Sequence, residues 1–152
     1  MNIFLLDTNP VLATKYHFDR HVVKMVTETA QLLSNCVEYR EGETYRHSHP
    51  RHPCTIWVKG SPANFWWLYN FGLSLAEEYT YRYGKVHGAA RVIEACGLYV
   101  PYTSQSPTHF AQVVPEECRV LGDPVAAYRK LYMGPKRRLA NWKKRDTPWW
   151  WT

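Results

Sequence analysis

Three times in this 152-residue chain a side chain suited to capping a helix stands directly before a proline: Asn9-Pro10, Ser61-Pro62 and Asp123-Pro124. Asn, Ser and Asp accept hydrogen bonds from the free N–H groups of a first helical turn, and proline is pre-set for the first helical position. Apolar residues follow each start at helical spacing. After the first come Val22, Met25, Val26, Thr29, Leu33 and Cys36, as one helix over Pro10 to Val37 or two joined near Phe18. After the second come Phe65, Leu68, Tyr69, Leu75, Ala76, Tyr79 and Tyr83, then a shorter helix through Val92, Ile93 and Cys96 that Gly97 closes. The third start leads through Val125, Tyr128, Leu131 and Tyr132 until Gly134-Pro135 breaks it.

These patterns predict an all-α chain folded as a single compact helical domain over 1–152, with one short N-terminal extended segment at Asn2–Leu6 as the only candidate exception. Residues 38–60 and 98–122 read as long, proline-rich connections, and loops of that length are more often functional than neutral. The apolar start IFLL is stopped by Asp7, and no run approaches the roughly 18 apolar residues of a membrane span. A cytoplasmic protein without a membrane partner is expected. Cys36, Cys54, Cys96 and Cys118 are widely spaced, which suits buried thiols in a reducing compartment.

Charge is distributed unevenly. Residues 1–118 hold ten Lys/Arg against eleven Asp/Glu, whereas 119–152 hold nine against two. Such a basic end reads as a surface for a phosphate-bearing partner, here Lys136, Arg137 and Arg138, or as a solvated terminus. The segment 135–152 adds Trp142, Trp149, Trp150 and Trp151. Interleaved with cations, tryptophans can stack on bases; they can equally dock on the helices or cover a homo-oligomer contact.

Three stretches carry candidate chemistry. In YHFDRHVVKM, His17, His21, Lys24 and Glu28 fall near one stripe of a helix running through Asp19. The histidines have the i, i+4 spacing of helical zinc ligands, but Phe18 stands where a metalloprotease helix needs glutamate. In RHSHPRHPC, His47, His49, His52 and Cys54 crowd a proline-restricted loop, as a zinc set or as donors to phosphate. In EEYTYRYGKVH, Tyr79, Arg82, Tyr83 and His87 share a helix face, where an ion pair from Arg82 to Glu78 is the plain alternative. No four-ligand pattern is compelling, so no metal or other cofactor is expected, with zinc through the His/Cys clusters as the alternative.

The chain resembles a family of small uncharacterised phage proteins in NIFLLD, in DRHVVKM with ETAQLLS, in HPRHP followed by IWV, in EEYTYRYGKVH, and in AYRKLY followed by a tryptophan. The resemblance implies a phage origin and a nucleotide or nucleic-acid setting in the host cytoplasm. It brings no mechanism. The leading reading is a binder of a nucleotide or nucleic acid, with His17, His21, Lys24, Glu28, His49, His52, Tyr79, Arg82, Tyr83 and His87 around one pocket and Lys136, Arg137 and Arg138 on its rim. The alternative is an enzyme acting on a nucleotide or modified DNA base, with His21, Glu28 and His52 as its acid/base groups. A module that binds a host protein through its tail comes third.

Overall fold

The computed structural model describes residues 1–152 and is entirely helical: α1 (Pro10–Lys15), α2 (Asp19–Ser34), α3 (Pro53–Lys59), α4 (Pro62–Tyr83), α5 (Ala90–Gly97) and α6 (Pro124–Met133), with 3-10 turns at Glu116–Cys118 and Arg137–Leu139. All three expected caps form. Asn9 Oδ1 accepts from the N–H groups of Val11 and Leu12, Ser61 Oγ from Asn64, and Asp123 Oδ1 from Ala126. A fourth start lies inside the stretch read as a loop: His52 Nδ1 accepts the Cys54 N–H at 3.0 Å and Pro53 opens α3. Histidine is not a usual capping residue, so local capping rules do not mark this start.

The 22-residue α4 is the central post, packed on α1, α2, α3 and α5. At Gly72 a Cβ would lie 2.8 Å from Thr29 Cγ2 and 2.9 Å from Ile93 Cδ1, so the missing side chain lets α2, α4 and α5 close together. Gly84, at φ +72°, ends α4 in the left-handed conformation. One continuous core of 30 buried residues joins all six helices and the ends of the chain. No helix is long and apolar enough to cross a membrane.

Residues 2–6, read from sequence as a short extended piece, belong to no helix and pair in no strand. They are threaded into the core, with Ile3, Phe4, Leu5 and Leu6 all buried. Apolar burial of that run drags the chain terminus inward. Asn2 is then clamped: its Nδ2 donates to the Val113 carbonyl at 2.9 Å and its Oδ1 accepts from Tyr128 Oη at 2.8 Å. The long 98–122 connection therefore positions residue 2, together with α6. The tail docks as well. Trp150 is buried in the core, Trp142 and Trp151 pack against it, and Trp149 stays exposed.

Candidate functional site

Burying residues 3–6 delivers the α-amino group of Met1 to 3.3 Å from Glu28 Oε1. Only 14 % of the Glu28 side chain is exposed, and Lys24, one turn earlier, reaches its other oxygen at 3.6 Å. An amine and a carboxylate are thereby paired at the edge of the core, on the stripe of α2 read from sequence as polar. His52, at the start of α3, borders the same place. Its imidazole pKa is lowered, first by partial burial and then by the positive charges of the Met1 amine and His49. Lys136 approaches from beyond α6, its Nζ 5.7 Å from the Phe4 ring centroid. Burial and the neighbouring Lys24 and Arg138 charges lower its pKa, and Glu28 opposes them.

Phe4 forms the floor. His21 stacks flat on it, with ring centroids 4.2 Å apart and planes 8° apart. His21 Nδ1 lies 2.6 Å from Tyr132 Oη. Burial, then the charges of His17, Lys136 and Lys24, lowers its pKa to about 3. Buried, stacked on Phe4 and bonded to Tyr132, with its charged form disfavoured, His21 sits as a neutral hydrogen-bonding ring, which favours a binding role over the acid/base role expected of it. His17 is corrected too. It lies in the turn between α1 and α2 rather than on α2, is wholly buried, and donates from Nδ1 to the Ala13 carbonyl at 2.6 Å. Burial lowers its pKa to about 4.

Both imidazoles bear on acid stability. Their folded pKa values lie below the unfolded 6.5, so the unfolded state binds more protons at acid pH and stability rises with pH across that window. Urea unfolding is expected to show full stability above about pH 6.5 and a loss on the order of 3 kcal/mol per histidine as pH falls toward 4. A His17→Gln, His21→Gln double variant flattens that dependence. An equally steep loss in the variant would assign it to the carboxylates.

The structure does not gather the remaining candidates here. Arg82 is 1 % exposed and faces inward, donating to Glu78 Oε2 at 2.8 Å, Asp19 Oδ1 at 2.9 Å and the carbonyls of His17 and Lys15 at 2.7 and 3.0 Å. Its fork is filled by protein groups, so the expected ligand contact is corrected to a structural one. His87 Nε2 donates to the Val23 carbonyl at 2.9 Å and its Nδ1 accepts from the Ala89 N–H, while its ring packs on Tyr79, which in turn meets Tyr83. Val23 lies about 140° round α2 from Glu28 at 100° per residue, so that aromatic face is not part of the amine site. The three polar faces thus do not close around one pocket. His49 is exposed at φ +51°, and His47 donates to the Val37 carbonyl. No three His, Cys, Asp or Glu side chains come together as a metal-holding group. Arg137 is spent on the tail, bonding the carbonyls of Met133 and Thr152, whereas Arg138 opens with Arg20, Asp19 and Asn141 onto a surface cavity of about 460 Å³.

The sequence reading missed the Met1 amine, Asn2, Phe4 and Tyr132. A signal was present, because an apolar run beginning at residue 3 cannot be buried without carrying the terminus with it. The arrangement offers a nucleophilic amine, a carboxylate able to move its proton, and surrounding cations for an anionic substrate. Comparison with curated proteins and with solved structures gives no match. Comparison with protein families matches residues 1–91, the part that carries Met1, Lys24, Glu28 and His52, to the family described as pyrimidine dimer DNA glycosylase. The match spans more than half of the chain, which therefore belongs to the pyrimidine dimer DNA glycosylase family.

Proposed function

We propose that the protein excises a damaged pyrimidine from DNA, with the α-amine of Met1 as nucleophile and Glu28 as its proton carrier. The observation that carries this reading is the 3.3 Å contact between amine and carboxylate. Family membership supports it and favours the enzyme acting on a modified DNA base over a pocket that sequesters a nucleotide. As a class, α-amines titrate about two to three units below lysine side chains, so they supply far more free base near neutrality. The neutral amine attacks C1′ of the lesion's deoxyribose, and the C1′–N1 bond breaks with its electron pair passing to the base. The base takes up one of the amine's protons. Opening of the C1′–O4′ bond then forms an imine, as Glu28 accepts the remaining N–H proton and delivers it to O4′. Lys24 and Lys136 hold the flanking phosphates. Motifs shared with phage proteins suit a repair enzyme working in the cytoplasm of an infected host.

Borohydride reduces an imine to a stable amine and so traps the intermediate. Incubating the protein with a duplex containing one cyclobutane pyrimidine dimer, in the presence of borohydride, is expected to yield a covalent protein–DNA adduct. Peptide mass spectrometry then places the sugar on the Met1 nitrogen. An adduct on Lys24 or Lys136 would reassign the nucleophile, and cleavage of the C1′–N1 bond, with the base still tethered to its dimer partner, without any adduct would exclude amine catalysis.

A further inference from the structure

Tyr132 is wholly buried, stacked on Phe18 at 3.9 Å, and burial holds its phenol far above the usual range. It therefore keeps one proton to donate. Its oxygen accepts the Phe18 N–H at 3.4 Å, and its only other hydrogen-bond partner is His21 Nδ1 at 2.6 Å. A phenol donating its single proton to Nδ1 makes that nitrogen an acceptor, which places the imidazole proton on Nε2. Of the two histidines, only His17 has a ring nitrogen that is both buried and without a partner. His21 Nε2 makes no bond within the protein and is not among the sealed-off atoms, so it is the edge of the ring that meets solvent.

We infer that Tyr132 fixes His21 as a permanent Nε2–H donor, and that this N–H joins Lys24 and Lys136 in binding a phosphodiester oxygen of the DNA strand beside the amine–carboxylate pair. Tyr132 is a positioning residue in this scheme, acting through His21. The inference rests on the DNA-binding half of the proposed function and not on its imine chemistry. Lys136 and His21 both rest on Phe4, so the two donors share one support. The charges of Lys136 and Lys24 are near enough to disfavour a protonated His21, and a neutral donor adds direction where another cation would add repulsion. Two of the participants, Tyr132 and Lys136, lie outside residues 1–91, so the C-terminal part of the chain completes a site begun by the N-terminal part.

Two measurements test this. Nitrogen-15 spectra of the imidazoles report which ring nitrogen carries hydrogen: Nε2–H is expected for His21 in the free protein, unchanged between pH 5 and 8, and shifted on adding a duplex with a tetrahydrofuran abasic site. A His21 found as Nδ1–H, or one that titrates in that range, overturns the inference even if no variant folds. The second measurement is a double-mutant cycle in affinity for the same duplex. Tyr132→Phe is expected to weaken binding about tenfold in the wild-type background, the worth of one hydrogen bond to a charged acceptor. It is expected to have no effect in a His21→Gln background, where the amide donates without needing a tautomer to be set. Equal loss in both backgrounds would make Tyr132 merely structural. Neither readout needs turnover, so absence of a trapped imine with the coupling intact would remove the glycosylase reading alone.

Discussion

Glu28→Gln is expected to lower dimer excision by two to four orders of magnitude, the range for a positioned acid/base group, while leaving DNA affinity unchanged or slightly raised. The substitution keeps the shape and removes both the charge and the proton-carrying capacity. Glu28 is the one carboxylate among several cations at this site, facing the Met1 amine and Lys24, with Lys136 close by. Its loss adds net positive charge where DNA phosphates dock, which favours binding. Catalysis is hit at another point: the N–H proton released as the imine forms has no acceptor, and O4′ no donor. Glu28→Asp should fall between, because shortening the arm by one methylene retracts the carboxylate from a contact already at 3.3 Å, and Asn2 and the buried run behind Met1 keep the amine from following it. Single-turnover excision and equilibrium binding on one dimer-containing duplex separate the two effects. A Gln variant within about threefold of wild-type excision would remove Glu28 from the chemistry.

How far the sequence reaches depends on the range of the interaction involved. Helix starts are decided within four residues, so Asn9, Ser61 and Asp123 are legible from local chemistry, and all three cap as expected. The α2 stripe of Lys24 and Glu28 is likewise local, and it does carry the candidate site. What joins that stripe to the rest is long-range. Met1 meets Glu28 across 27 positions, and His21 meets Tyr132 across 111. Periodicity contains no information about such pairs. The face of Tyr79, Tyr83 and His87 shows the converse error: composition resembling the α2 face suggested a shared pocket, whereas His87 is held by the Val23 carbonyl on another side of α2. Residue types alone cannot distinguish a histidine that binds a ligand from one that satisfies a backbone carbonyl, because both use the same N–H.

Arg82→Ala, a pocket-lining substitution if judged from sequence, is expected to destabilise the fold more than any single change at the Met1–Glu28 site. The guanidinium fills the space between α4 and the α1–α2 turn. It takes the carbonyl of Lys15, which α1 leaves without an intrahelical partner, and that of His17 in the turn that follows, and so ends that helix where α2 must begin. Its two carboxylates are themselves shared. Glu78 accepts two bonds from Arg145, and Asp19 accepts from Asn141 Nδ2 and the Lys143 N–H, so the network also anchors the tail. Removing one member of a buried pair strands the others, at a typical cost of about 3–5 kcal/mol. For a chain of this size that lowers the melting temperature by about 10 °C. Arg82→Lys should recover little, since one ammonium cannot reach four acceptors spread around a planar fork. Pairing Arg82→Met with Glu78→Gln should cost less than Arg82→Ala alone, because methionine fills part of the space and one of the two stranded carboxylates, Glu78, loses its charge, leaving Asp19 with its bonds from Asn141 and Lys143. Excision by folded Arg82→Ala should fall as well, since His17, His21 and the start of α2 shift with the turn. A variant within about 1 kcal/mol of wild type in urea would show that water replaces the guanidinium, and would return Arg82 to the candidates for ligand contact.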